Sequence, residues 1–495
     1  MTPRPTSHEL IEQVLDPGSW ISWDLPVSDR RDNDAEYRET LARVRESTGL
    51  DEAVTVGEGT IRGRRVAALI GDFRFLAGSI GVTTAERLVR AIDRATREGL
   101  PLLAAPVSGG TRMQEGTVAF VQMIKITDAI AVHRAARLPY LVYLRHPTTG
   151  GVFASWGSLG HLTVAEPGAL VGFLGPRVHE AINGERFPEG VQTAENLFAH
   201  GHLDAVLPVT GLAEMVDRAL NVLCAPTGRL NRPYRSADEE IADTPAWDSV
   251  TRSRQADRPG VRALLESAGQ DVVRLGGARG DGILLALARF GDAPCMVLGH
   301  DRSIGRQGGP VGPDGLRMAQ RGMRLARELG LPLVTIVDTS GAELSREAEE
   351  GGLAGEIARS LHALITLESP TLCVLLGQGT GGGALALLPA DRVVAAQHAW
   401  LSPLPPEGAS AILHRTVDRA PELASAQEIR STDMFRHGIV DRIVGEDSGD
   451  PQEFLSRLGQ VIEDELAGLL KVPTASRLAD RRARFRRLGN EVLSA

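Results

Sequence analysis

The chain has 495 residues, 42% of them hydrophobic and 24% charged, enough to bury the cores of about two to three domains. Its 55 glycines follow no Gly-X-Y period and form no Gly/Ser tract, which excludes collagen-like and low-complexity classes. A net charge of −9 argues against nucleic acid as a partner; Cys224, Cys295 and Cys373, odd in number and far apart, exclude a disulfide framework and a CxxC zinc pair.

The N-terminal residues lack the basic and apolar regions of a signal peptide, and the cysteine usage fits a reduced compartment, so a soluble cytoplasmic protein is expected. An apolar run over Arg65 to Ile70 predicts the first strand. The glycine loop Gly78-Ser-Ile-Gly81 follows, then a helix over Ala85 to Arg97 with apolar residues at Leu88, Ile92 and Ala95. A buried strand after Leu100-Pro101 ends in the turn Ser108-Gly109-Gly110. A helix over Glu115 to Ala136, a strand over Tyr140 to Leu144 and the turn from His146 to Val152 complete the series.

The same order returns: a strand over Cys295 to Leu298, a helix over Asp314 to Leu329, and a strand ending near Gly341. A helix over Ala354 to Leu367, a strand over Thr371 to Leu376 and the turn from Gly377 to Ala384 follow. Gly99 maps onto Gly330, a shift of 231 residues that also carries Pro139 onto Pro370 and Gly150-Gly151 onto Gly381-Gly382. Gly78 to Gly81 falls on Gly309 to Gly312 by the same shift. The sequence is thus a duplication, with expected domains 1–232 and 246–495 joined by a linker over 233–245 rich in Pro, Arg and Asp. Strands alternating with helices predict an α/β fold in each half. The uncharged stretch Ser369 to Ala390 holds too many glycines and prolines for a lipid-spanning helix.

A Gly pair at a helix start lets two backbone N–H groups converge on one oxygen, the device that stabilises a developing oxyanion. Tight turns or helix packing are the alternative use of such glycines; their recurrence in both halves favours the functional one. Gly377, Gly379 and Gly382 also satisfy G-x-G-x-x-G, but Pro389 cuts the following helix too short for dinucleotide binding. Ser79 is not in a nucleophile elbow, because residue 77 is alanine. Glu115, Glu166 and Glu407 follow turns, and for Glu115 and Glu407 a dipole-favoured helix start is the better reading than a general base. His146, His161 and His300 are scattered and read as structural. Backbone donors, not side chains, are expected to do the chemistry.

The run Ser108 to Gly116, with Pro147 to Ser155 and Ala165 to Arg177, resembles the β subunit of bacterial acetyl-CoA carboxylase carboxyltransferase. Asp338 to Ala342, Gly377 to Ala386 and Pro405 to Leu413 resemble its α subunit, so the whole is similar to an actinobacterial-type fused β-α chain. No cysteine precedes residue 224, so the zinc ribbon usual in the β subunit is missing and no bound metal is expected; Ser340 and Ala409 replace a proline and a cysteine usual in the α subunit.

The resemblance implies two tandem crotonase-like ββα superhelical domains, the acyl-CoA in the first half and carboxybiotin, borne by a separate carrier protein, in the second. It implies that Gly150, Gly151 and Val152 hold the thioester enolate, and that Gly382, Gly383 and Ala384 hold the ureido oxygen. Ser108, Gly109, Gly110 and Arg112 are expected to line the CoA channel, with a packing turn the even alternative; Gly341, Ala342, Gly379 and Gly381 are expected on the biotin side. Acetyl-CoA, giving malonyl-CoA for fatty acid biosynthesis, is the favoured substrate and propionyl-CoA the competitor. Implied partners are a biotin carboxylase and biotin carboxyl carrier subunit, with the chain at least a homodimer; neither nucleic acid nor membrane is expected. A biotin-independent malonyl-thioester decarboxylase and a degenerate scaffold subunit are the other readings. The six arginines between Arg477 and Arg487 are expected on a solvated helix face or a subunit contact.

Overall fold

The computed structural model describes residues 4–25, 34–226, 241–277, 282–303, 310–446 and 450–488. Gly309 and most of the expected linker (233–240) lie outside them. The chain divides into two compact units, Met1–Asn221 with Leu275–Arg279, and Val222–Arg274 with Gly280–Ala495.

The first sheet runs β1 (Ile21–Ser22), β2 (Val54–Ile61), β3 (Arg64–Gly71), β4 (Leu102–Ala105), β5 (Tyr140–Leu144), β7 (Leu162–Ala165) and β9 (Ala205–Val206). The β2–β3 pair is antiparallel, and from β3 to β9 the pairing is parallel. Beside it, β6 (Thr148–Thr149) pairs with β8 (Val171–Gly172). The second sheet runs β10 (Gly269–Leu275), β11 (Ile283–Phe290), β12 (Ala293–His300), β13 (Leu333–Thr339), β14 (Thr371–Thr380), β15 (Arg392–Ala396) and β17 (Arg442–Val444), with β16 (Trp400–Ser402) on the far end of β14. Here too an antiparallel pair, β11–β12, leads into a parallel series. Strands such as Tyr140–Leu144 and Leu333–Thr339 are buried at every residue, as parallel strands covered on both faces must be.

The helices that cover the sheets follow the apolar spacing. Val82–Arg97 buries Ala85, Leu88, Ala91, Ile92 and Ala95 along one stripe. Pro313–Leu329 and Gly116–Ala135 begin within a residue of the expected helices. Gly381–Leu385 stops well before Pro389, which leaves no crossover helix of the dinucleotide-binding type.

The basic C-terminal helix, Thr474–Arg487, departs from expectation. Arg477 and Arg481 are buried, not solvated. Arg481 grips Asp391 through two bonds of 2.8 and 2.7 Å and also donates to the Leu364 and Leu367 carbonyls, while Arg484 pairs with Asp441 at 2.5 Å. The three arginines spaced four and three residues apart, Arg477, Arg481 and Arg484, therefore turn inward to carboxylates at the strand starts, and the other three, Arg482, Arg486 and Arg487, face water.

Candidate active site

Each half places its two glycine turns at the C-terminal ends of adjacent parallel strands. In the first turn the Gly110 N–H donates to Ser108 Oγ at 2.9 Å, and 231 residues later the Gly341 N–H donates to Thr339 Oγ1 at 3.1 Å. Ile80 donates to the Gly110 carbonyl at 3.0 Å, and Val311 donates to that of Gly341 at 3.1 Å. Ser108 thus orders the turn from inside, and Gly109 is the exposed member.

The second turns match as closely. Gly150 and Gly381 have φ of 62° and 60°, a left-handed conformation that a Cβ resists. Each opens a short helix, Gly150–Phe153 and Gly381–Leu385. The Gly150 N–H is taken by the Phe173 carbonyl at 2.9 Å. Among the described residues, the N–H groups of Gly151 and Val152, and of Gly382 and Gly383, their counterparts at the 231-residue shift, make no hydrogen bond to an acceptor outside their own short helices. In both pairs the first residue is half-buried and the second buried. Ala384, one position deeper, is fully buried.

The fold brings the two turns of each half together. A Cβ on Gly150 would lie 3.4 Å from Gly110 Cα, and one on Gly383 only 3.0 Å from the Gly341 carbonyl carbon and 3.1 Å from the Ala342 nitrogen. Thr111 and Met123 flank Gly151, while Ile357 flanks Gly382. Gly379 is needed for another reason: a Cβ there would stand 2.6 Å from the Trp400 carbonyl oxygen, where β16 crosses β14. Below the second-half turn, Asp338 accepts from the Gln378 N–H at 3.0 Å and from Arg302 at 3.3 Å; burial raises its pKa against the pull of Arg302.

Arg112 turns inward and is not exposed on the turn. It is 1% exposed and held by Glu52 at 2.5 and 3.0 Å, by Glu115 at 3.4 Å and by the Ser79 carbonyl at 2.8 Å. Burial works against its charge, yet Glu52 outweighs this and holds the guanidinium above its ordinary pKa. A cation inside the fold needs such partners. Glu52 went unnoticed in the sequence, where only the lone arginine in a glycine turn hints at a distant carboxylate.

The side-chain acids, and one ring nitrogen of each histidine, are tied into the scaffold. Glu115 accepts from the Val82 N–H and the Tyr37 hydroxyl, each at 2.7 Å. Glu407 pairs with Arg254 at 2.5 Å, and Glu166 accepts from the His146 N–H at 3.1 Å. The Nδ1 atoms of His146, His161 and His300 each accept a backbone N–H, at 2.9, 3.0 and 3.3 Å. Burial lowers His161 to about 3 and His300 to about 4, so both are neutral near pH 7. Among the described residues no group of three or more His, Cys, Asp or Glu could hold a metal ion, and no helix is long and apolar enough to cross a membrane.

Two duplicated ββα halves, each closing on paired glycine turns, define a tandem crotonase-like carboxyltransferase fold. The carboxyl transferase domain family model matches residues 3–443, and the chain belongs to this family. It is 57% identical over 497 residues to the probable biotin-dependent acyl-coenzyme A carboxylase beta3 subunit of Mycobacterium tuberculosis (strain ATCC 25618 / H37Rv), with 98% of this chain and 99% of that one covered. It is 36% identical over 521 residues to the acetyl-coenzyme A carboxylase carboxyl transferase subunits beta/alpha of Salinispora tropica, covering 98% and 91%. Among solved structures, the transcarboxylase 12S hexamer with hydrolysed methylmalonyl-coenzyme A superposes with a TM-score of 0.75 at 21% identity, over 93% of this chain and 89% of that one. That likeness is one of fold.

Proposed function

We propose that the chain moves CO2 from biotin on a carrier protein to the α-carbon of a short acyl-CoA, with acetyl-CoA first and malonyl-CoA as product. The observation that supports this reading is the pair of unclaimed donors, Gly151/Val152 and Gly382/Gly383, repeated at one shift in a carboxyl transferase chain. The reaction creates two electron-rich oxygens, and the duplication offers a place for each. Gly151 and Val152 hold the enolate oxygen of the thioester; Gly382 and Gly383 hold the ureido oxygen. One such donor is typically worth about 2.7–4 kcal/mol of barrier.

The second-half turn fits a ureido group in its chemistry: two N–H donors and a glycine packed so close to the Gly341–Ala342 peptide that no side chain can stand over them. Biotin supplies the CO2 and, once free of it, a nitrogen base for the α-proton. The chain then needs no side-chain base, in keeping with glutamates and histidine Nδ1 atoms that are bonded into the scaffold. Ser108 and Thr339 position the turns from within. The domains of this reading are residues 1–232 and 246–495, with a biotin carboxylase and carrier subunit and a second copy of the chain as partners, in the cytoplasm and toward fatty acid biosynthesis.

The test is carboxyl exchange by the purified chain between malonyl-CoA or methylmalonyl-CoA and biocytin. Faster formation of acetyl-CoA than of propionyl-CoA is expected. Exchange with methylmalonyl-CoA alone would make propionyl-CoA the substrate. Decarboxylation indifferent to biocytin would make the chain a malonyl-thioester decarboxylase, and no turnover with or without its carrier partner would leave a scaffold subunit.

A further inference from the structure

The two helix caps differ in one hydroxyl. Thr149 and Thr380, 231 residues apart, precede the two short helices with extended backbone, φ −133° and ψ 172° against φ −111° and ψ 127°. Thr149 Oγ1 donates to the Ser108 carbonyl at 3.3 Å. Thr380 is 3% exposed, and among the described residues its Oγ1 has no hydrogen-bond partner. It neither caps its own helix nor repeats the bond its twin makes, although Thr339, the counterpart of Ser108, lies on the neighbouring strand beside Gly379.

Buried hydroxyls are as a rule bonded, so this one calls for a partner outside the fold. Its methyl carbon faces Gly341, 3.8 Å from where a Cβ there would stand. A cap side chain in extended backbone lies beside the N–H groups of the second and third helical residues. Those are Gly382 and Gly383, the unclaimed donors. Three polar groups without a partner outside the short helix thus belong to one turn. The N–H groups only donate, whereas a hydroxyl also accepts. The ligand that satisfies all three has an acceptor oxygen with an N–H beside it, which is the edge of a cyclic urea.

We propose that Thr380 is a third ligand-contacting residue of the second-half turn, its hydroxyl accepting from a ring N–H while Gly382 and Gly383 hold the carbonyl oxygen. The assignment rests on the carboxyltransferase reading and adds a side chain to a site otherwise made of backbone. No such contact is open to Thr149, whose hydroxyl is spent on Ser108.

Ligand-observed NMR titration of biocytin into the full-length wild type, Thr380→Val and Thr380→Ser tests it, with acetyl-CoA binding and thermal unfolding followed in parallel. Loss of one neutral hydrogen bond weakens binding roughly three- to tenfold. Thr380→Val is expected to lose biocytin affinity by that factor, Thr380→Ser to stay within about twofold, and acetyl-CoA affinity and Tm to hold in both. If the valine variant does not fold, Thr380→Ala takes its place in the same comparison. Unchanged biocytin affinity in the valine or alanine variant overturns the role of Thr380 and leaves the carboxyltransferase reading standing. Parallel loss of biocytin affinity, acetyl-CoA affinity and Tm also overturns it, because the hydroxyl is then structural. A wild type that neither binds biocytin nor exchanges carboxyl groups overturns both.

Discussion

At the end of β5 the first-half turn packs beside Thr111 and Met123, whereas at the end of β14 its twin packs on Ile357 and on the bare Gly341–Ala342 peptide. The donors themselves coincide: Gly151/Val152 and Gly382/Gly383 sit one shift apart, after glycines of the same φ. What changed after duplication is the lining. Arg112, tied inward to Glu52, stands where the second half has Glu343, which accepts from Ser345. His161 bonds the Tyr140 N–H at the start of one strand, and Asp391 does the same for Thr371 at its counterpart. In the proposed reading, backbone geometry preserves the ability to hold an oxygen. The side chains around it are free to select what bears that oxygen.

The largest effect is expected where that lining carries a buried charge. Arg112→Met leaves Glu52, itself 2% exposed, without its cation, a change that typically costs about 3–5 kcal/mol. Chemical denaturation should show the loss, with biocytin binding by folded protein retained. Glu343→Met, at the matching position, should leave stability nearly unchanged because Glu343 is only half-buried. If Arg112→Met instead left stability intact and raised only the KM for acyl-CoA, the arginine would belong to the ligand and the contrast between the halves would fail.

Local patterns made the duplication readable. The paired Leu-Pro strand starts set the register, since Leu102 and Leu333 donate to Pro139 and Pro370 at 2.9 and 2.8 Å. Tyr140–Leu144 and Pro313–Leu329 followed from apolar runs and helical spacing. Ionic pairing did not. Glu52 lies 60 residues from Arg112 and Asp391 lies 90 from Arg481, and nothing in a single sequence marks such partners. The commitment of the Gly150 N–H to Phe173 was equally hidden, because it depends on where β8 ends. Spacing reveals which residues share a face; it does not reveal which backbone groups are left over.

The second comparison sets Gly383→Ala against Gly151→Ala. The new methyl at 383 meets backbone atoms at 3.0–3.1 Å, which have nowhere to go, whereas at 151 it meets Met123 Cγ and Thr111 Oγ1 at 3.4 Å, close to ordinary contact. The turn at 383 must shift and misalign its donors. Malonyl-CoA/biocytin exchange is expected to fall by about 10²-fold or more for Gly383→Ala, the loss typical of one such donor, and by less than about tenfold for Gly151→Ala. Equal, small losses would mean that the Gly341 contact does not set the donor geometry.

The smallest expected effect separates the halves by pH. His161 and His300 have pKa values near 3 and 4 in the folded chain, both pushed down by burial, against about 6.5 when unfolded. The unfolded chain therefore binds more protons as pH falls below about 6.5, and stability declines on acidification toward the folded values. Asp72 and Glu356 are both held at about 2, so their contribution is lost only at lower pH. Between pH 7 and 5 the histidines act without them. At pH 5 both folded values are still below ambient, so each histidine's share is set by the distance from 6.5 to 5, about 2 kcal/mol. Urea unfolding at the two pH values should show wild type losing more stability than His161→Asn, whose amide oxygen can still accept from Tyr140. The analogous gain for His300→Asn should appear only in the transition of the second half, where His300 accepts from the Asp338 N–H. Equal losses in wild type and both variants would mean that neither imidazole is kept neutral by the fold.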